Sequence, residues 1–381
     1  MKNEENKFNE AYIWRDNMKF ILNSKKAKKT LTIIISITLS IVFIMSNLLM
    51  FHLNRNINIK HNCKNIILLI GDGMGKNHIE ATKKTSNLET LNMELLPLQG
   101  KVTTFSKYFK TTDSAAAASA MSTGKKTLNE MISQNDNSSI NETLMETAIK
   151  QNMSTGIITS SYLYDATPAA FSSHTSSRKN YDEIIKQQIG SQINLLIGTG
   201  KKEYNNYIDT IKKSGKKYIN EFESLPSDLS KNILCVFDDI SSKNKKFNSL
   251  SDYTEYALEI LSNNDNGFFL IIEGGKIDSQ SHENHFEETI DEVLDFDKSV
   301  GICWDFAKTH EDTCIIVTAD HETGGLSKIK TNEKYEYSFT TTEHTRNLVN
   351  YYIYPSSIAN TPYIIDNTYI YRFINKMICN K

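Results

Sequence analysis

The chain has 381 residues, enough for one large domain or two small ones, and its charge is nearly balanced, 43 Lys+Arg against 45 Asp+Glu. That balance excludes the basic footprint of a nucleic-acid binder. Five cysteines (Cys63, Cys235, Cys303, Cys314, Cys379) without a CxxC pair exclude a thiolate zinc finger and read as buried small hydrophobes.

The first element in chain order is apolar. Residues 31–51 run uncharged for 21 positions. As a helix that stretch spans ~31 Å, close to the ~30 Å hydrocarbon core. Lys25, Lys26, Lys28 and Lys29 crowd its amino-terminal side. The positive-inside rule then predicts a cytoplasmic tail (1–30), a single-pass signal-anchor (31–53) in the cell membrane, and everything later on the extracytoplasmic side. A cleaved signal that releases a secreted domain is the alternative; the long apolar run and the absence of an A-x-A site argue against it.

A polar linker (54–64) leads into a domain over 65–381. Asn65–Ile70, Gly156–Thr159, Leu195–Gly198, Leu234–Phe237, Phe268–Glu273 and Cys314–Thr318 are short, nearly continuous apolar runs. Such runs predict strands covered on both faces. Asn141–Lys150, Tyr181–Ile189, Asp252–Leu261 and Phe286–Phe306 carry helical periodicity. The predicted fold class is α/β: a three-layer α/β/α sandwich around a mainly parallel sheet, preceded by one transmembrane helix.

Sites in such sheets lie beyond the carboxyl ends of the strands. Asp72 follows the first strand in a glycine turn, Glu273 ends another, and Asp320 and His321 follow a third. Asp278 and His282 are four apart, so one helical turn can aim both at one zinc. His344 stands alone in a Thr-rich segment and carries meaning only with the others. Ser114 opens a small-residue helix whose free amides favour an anion, although a plain N-cap serine explains it as well. Arg178 could present a planar fork to two phosphate oxygens, or be an ordinary surface arginine. One hydroxyl, with acids and histidines able to hold two or three divalent cations, suits phosphoryl transfer.

The whole set resembles the alkaline phosphatase family. The resemblance rests on GDGMG (71–75), TDSAAAASAMSTG (112–124), DATPAAF with the following His and Arg (165–178), EGGKIDSQSH (273–282), TADHETGG (318–325) and HT (344–345), in family order. It implies that Ser114 is the nucleophile of a phosphoserine intermediate and that Arg178 clamps the phosphate. It further implies that Asp278, His282 and His344 hold one Zn²⁺, and that Asp72, Asp320 and His321 hold a second. A Mg²⁺ would be held by Thr167 and Glu273, with Asp72 bridging and Asp165 acting through water. Phosphate monoesters of broad identity are the implied substrates, phosphate scavenging outside the cell the implied role, and a homodimer the implied assembly.

Two departures stand out. Ser279 occupies a position where several relatives carry a larger basic or aromatic residue. Only 22 residues separate His321 from His344, so the decoration that many relatives insert there must be tiny or absent. Two other readings compete. A phosphodiesterase, phosphomutase or sulfatase of the wider superfamily often uses threonine or a modified cysteine, against Ser114. A membrane-tethered phosphate-binding protein without turnover would be expected to have lost the nucleophile or ligands, all of which are in place.

Overall fold

The computed structural model describes residues 29–30, 32–41, 45, 63–221, 225–240, 249–331, 334–355 and 361–379. Two compact units divide the chain, Met1–Asn56 and Ile57–Lys381.

In the first unit the expected membrane-spanning helix is corrected. Among the described residues no helix is long and apolar enough to cross a membrane. Residues 32–41 are helical. Within that stretch Thr38 Oγ1 and Ser40 Oγ donate to the carbonyls of Ile34 and Ser36, one turn back. The membrane partnership drawn from residues 31–53 rested on the expected spanning helix and has no other support among the described residues. Residues 1–28, and all of the expected linker except Cys63 and Lys64, lie outside the described residues.

The second unit is built on one ten-stranded sheet. Its strands in chain order are β1 (Asn65–Gly71), β2 (Leu98–Thr103), β3 (Ser154–Tyr162), β4 (Leu195–Thr199), β5 (Lys217–Ile219), β6 (Ile233–Phe237), β7 (Phe268–Gly274) and β8 (Thr313–Thr318). Beyond two short pairs described below, β13 (Val349–Tyr354) and β14 (Ile364–Asp366) complete it. The spatial order is β14-β2-β13-β8-β1-β7-β3-β4-β6-β5. All pairings are parallel except those of β13, which runs antiparallel to β2 and β8. Every residue of β1, β4, β6, β7 and β8 is buried, as expected for strands covered on both faces.

Helices form two groups. Leu250–Leu261 packs on Phe286–Thr309, which also contacts Lys76–Thr85 and Lys276–His282; Ser114–Thr123 packs on Ala166–Ser172 and Thr368–Cys379. Both groups reach β3 and β7, through Leu250–Leu261 on one side and Leu144–Lys150 on the other. The three-layer α/β/α sandwich is therefore present. Between His321 and His344 the chain forms a hairpin of β10 (Ser327–Thr331) and β11 (Lys334–Ser338), the small decoration expected. None of the five cysteines is bridged; four are buried, while Cys379 is exposed at the end of the last helix, against expectation.

Candidate active site

Adjacent strands deliver the acids. Ile70 of β1 pairs with Glu273 of β7 on one side and with Thr318 of β8 on the other. Asp72 and Asp320 therefore stand two residues beyond the same level, with His321 next and Glu273 beside them. Gly73 turns the chain at φ 71°, and a Cβ there would lie 2.8 Å from both Asp278 Oδ1 and Thr323 Oγ1. Only glycine permits that turn and that approach. Asp278 and His282 sit one turn apart on the helix Lys276–His282. His344 arrives on β12 (His344–Thr345), which pairs with β9 (Glu322–Thr323) so that His344 opposes Thr323. Ser114 is the first residue of the helix Ser114–Thr123. Its N-cap Asp113 accepts from the amides of Ala116 at 2.9 Å and Glu130 at 2.7 Å, which fixes the helix start.

His321 Nε2 is the hub of the buried half. It lies 3.1 Å from Ser114 Oγ, 3.1 Å from Asp320 Oδ2 and 3.5 Å from Asp72 Oδ1. A ring nitrogen has one lone pair or one proton and cannot satisfy three oxygens. Asp72 Oδ1 and Asp320 Oδ2 are buried without a hydrogen-bond partner. The other oxygen of Asp320 accepts from the amides of Gly73 and His321 at 3.0 and 2.8 Å.

The outer half is more open. Asp278 Oδ2 lies 3.3 Å from His282 Nε2, Asp278 Oδ1 lies 3.7 Å from His344 Nε2, and the two ring nitrogens are 3.0 Å apart. Both rings are turned inward by a carbonyl at Nδ1, Thr342 O for His282 and Thr112 O, at 2.9 Å, for His344. Ligand atoms of Asp278, His282 and His344 lie within 4.8 Å of one another, and so do those of Asp72, Asp278 and His321. Asp278 thus faces both groups, although the resemblance assigns it to one.

The remaining expected residues gather beside Asp72. Glu273 is buried and accepts from the Thr159 hydroxyl. Thr167 Oγ1 is buried without a partner. Asp165 caps the helix Ala166–Ser172, accepting from the Ala166 amide at 2.7 Å, and also accepts from Arg178 at 2.8 Å. The other guanidinium arm lies 3.9 Å from Asp113. Arg178 therefore hangs between two carboxylates over a cleft of about 600 Å³ that it lines with Thr112, Ser114, Asp278, His282 and His344. Ser279 is exposed and donates to the Lys276 carbonyl at 3.1 Å.

Charge in this site is unbalanced. Burial first, then the neighbouring carboxylates Asp320, Asp278, Glu273 and Asp165, hold the Asp72 carboxyl well above the usual range. Burial, reinforced by Asp165 and Asp320, pushes Glu273 up to about 8 against the hydrogen bond from Thr159. Asp278 and Asp320 are held low despite burial, by His282 and His321 respectively. The hydrogen bond to Asp278 raises His282 to about 9. Crowded carboxylates, two orphaned acid oxygens, an orphaned hydroxyl and inward-turned imidazoles are a donor set that fits divalent cations. The expected set of Glu273, Thr167, Asp165 and Asp72 offers oxygen donors only, which suits a hard ion; the imidazole-bearing groups suit a borderline one.

All eleven expected residues thus fall in one region at the carboxyl end of the sheet. Sequence reasoning missed Thr323, Thr159 and the carbonyls of Thr112 and Thr342, which orient the others. Of the remaining histidines, His78 is buried, with Nε2 3.1 Å from Ser281 Oγ, and His174 pairs with Glu146 at 3.0 Å.

Comparison with known proteins points one way. A family model described as alkaline phosphatase matches residues 63–368. Alkaline phosphatase 3 of Bacillus subtilis (strain 168) is 35% identical over 69% of this chain and 62% of its own length. The alkaline phosphatase of Escherichia coli (strain K12) is 30% identical over 68% of this chain and 70% of its own. The chain spans 62% and 65% of the two Bacillus relatives, less than two thirds of either. The solved structure of alkaline phosphatase from the Antarctic bacterium TAB5 superposes with a TM-score of 0.74 at 28% identity, covering 84% of this chain and 99% of that one. A mutant of that protein is described with Mg bound in its M3 site.

Proposed function

The chain belongs to the alkaline phosphatase family, and from that premise we propose that it hydrolyses phosphate monoesters to an alcohol and inorganic phosphate through a phosphoserine on Ser114. The observation that carries the reading is the Ser114 hydroxyl, buried and 3.1 Å from His321 Nε2, beside two carboxylates with unpartnered oxygens.

Asp278, His282 and His344 would hold one Zn²⁺ and Asp72, Asp320 and His321 another, with Asp278 close enough to serve both. Glu273, Thr167 and Asp72, with Asp165 through water, would hold a Mg²⁺. When bound, these cations supply Lewis-acid stabilisation of the developing oxyanions and lower the pKa of nearby hydroxyls. The chain's own groups do the rest. Arg178, already poised at the cleft by Asp165 and Asp113, offers its fork to two non-reacting phosphate oxygens. Ser114 Oγ then attacks phosphorus in line. The Oγ–P bond forms, the ester P–O bond breaks, and the serine proton ends on the departing alcohol. Water attacks the phosphoserine from the vacated side, restoring the Ser114 hydroxyl and releasing phosphate. The clamp reads phosphate and little else, so the alcohol is weakly selected.

p-Nitrophenyl phosphate hydrolysis by the full chain, zinc- and magnesium-loaded, tests this against Ser114→Ala and a chelated sample. Turnover lost by about 10⁴-fold in the variant and abolished by chelation is expected. A folded, zinc-bound wild type that releases no phosphate overturns the monoesterase reading, and turnover of a phosphodiester alone would replace it.

A further inference from the structure

We infer that Thr323 is a positioning residue that fixes which nitrogen His321 presents to Ser114, and that it ties the buried half of the site to the outer half; the inference rests on the reading above.

Thr323 is fully buried, and its hydroxyl has one proton to give. That proton goes to Asp278 Oδ1, 2.5 Å away, a carboxylate that only accepts when ionised. Toward its second neighbour, His321 Nδ1 at 3.2 Å, the same oxygen can then only accept. His321 must therefore keep a proton on Nδ1. Nε2 is left as the nitrogen turned to Ser114, Asp72 and Asp320. A ring flipped about its axis would face the Thr323 oxygen with carbon and gain nothing. One hydroxyl thus sets the ring's orientation and its tautomer.

Two further features hold the hydroxyl in place. The Thr323 amide donates to the Gly73 carbonyl at 3.0 Å, which ties it to the turn that carries Asp72. At Gly73 a Cβ would sit 2.8 Å from Thr323 Oγ1 and from Asp278 Oδ1. The turn is therefore bare where the relay passes, and the backbone pairing His344↔Thr323 brings the outer histidine to the same residue. The chain Asp278–Thr323–His321 connects a ligand of the outer group to the hub of the inner one.

The relay makes a specific demand on substitutions. Valine keeps the shape of threonine and removes the hydroxyl; serine keeps the hydroxyl and removes the methyl. Zinc affinity is measured on the full chain by competition with a chromogenic chelator, for wild type, Thr323→Val and Thr323→Ser. The His321 Nδ1–H resonance is followed by NMR in the zinc-loaded protein. Loss of such an outer partner typically weakens metal affinity by about 10–100-fold. We expect a fall of that order in Thr323→Val, a broadened Nδ1–H signal through exchange with water, and recovery of turnover at excess zinc. Thr323→Ser should lie within about threefold of wild type in all three. Thermal melting in chelator guards against misfolding, because a folded valine variant melts near the wild type.

Wild-type zinc affinity and an unchanged Nδ1–H signal in Thr323→Val would overturn the inference. So would a serine variant as weak as the valine one. Failure of the wild type to turn over phosphate would strike the phosphatase reading instead, while leaving the Nδ1–H signal and its dependence on Thr323 to be read on their own.

Discussion

The site has two halves that differ in how they are held. In the inner half, the His321 and Asp320 side chains are 0% exposed and Asp72 is 9% exposed. All three come directly off the ends of β1 and β8. In the outer half, His282 is 37% exposed and His344 15%, and they are carried by a seven-residue helix and a two-residue strand. The inner half pays in crowded, dry carboxylates for rigidity around Ser114. The outer half is more exposed and lines the cleft. A unit charge pair 4 Å apart is worth about 4 kcal/mol at the effective dielectric of a protein site, against about 1 in bulk water. Perturbation should therefore cost much more inside than outside.

The largest effect is expected at the nucleophile. Ser114→Ala should cut turnover by about 10⁴-fold or more and leave zinc affinity of both halves within about threefold. Equilibrium dialysis on the variant checks this. A large loss of zinc would mean that Ser114 holds the inner half together and is not only its reactive group.

Acid repulsion predicts the next effect, in the metal-free protein. Asp72 and Glu273 have folded pKa values raised above their unfolded ones, Glu273 to about 8. Such groups contribute stability that is present below the unfolded carboxylate range and lost as pH rises through the folded value. His282, raised to about 9, acts in the same direction between its unfolded value and pH 9. Asp278, held low, opposes them only in acid. Chelator-treated protein should therefore lose stability from about pH 5 to about pH 9, by a few kcal/mol. Zinc-loaded protein should show a much flatter profile. Thermal melts at both conditions decide it; a flat chelated profile would show that the inner half relaxes its acids apart without help from a cation.

Comparable substitutions in the two halves sharpen the contrast. Asp320→Asn removes a charge from a fully buried position, and His282→Ala removes a neutral nitrogen from a half-exposed one. A difference of about 3 kcal/mol between dry and wet charge interactions corresponds to about 100-fold in affinity. Asp320→Asn should therefore weaken zinc binding about 100-fold more than His282→Ala does. Equal losses would erase the distinction between the halves.

This division also explains what could be read from the sequence. The inner half follows from runs such as NIILLI and CIIVT, because continuous apolar strands covered on both faces leave their polar residues only at the ends. Asp72, Glu273 and Asp320 were legible for that reason. β2, LQGKVT, and β13, VNYYIY, were not, since their burial depends on partners far along the chain. The helix Thr368–Cys379 was likewise passed over despite its apolar stripe. Thr323, Thr159 and Thr112 act through hydroxyls and carbonyls that no local pattern distinguishes from ordinary threonines. The opposite error fell on residues 31–53, where uncharged length was read as a span, whereas among the described residues no helix is long and apolar enough to cross a membrane.

The smallest effect should come from Ser279→Lys. Ser279 is exposed beside Asp278, and its hydroxyl does no more than donate to the Lys276 carbonyl. Lysine adds one ammonium on the exposed residue next to Asp278, which lines the cleft; in water a unit charge pair is worth about 1 kcal/mol at 4 Å. KM for a phosphate monoester should fall by about two- to fivefold at low ionic strength, with product phosphate inhibiting more strongly by a similar factor. Because the Debye length shrinks to ~3 Å at 1 M salt, the gain should vanish there. Steady-state kinetics at two salt concentrations settles it. A gain that survives high salt would mean that the ammonium is drawn into the dry half of the site, and the boundary between the halves would then lie one residue further out than Asp278.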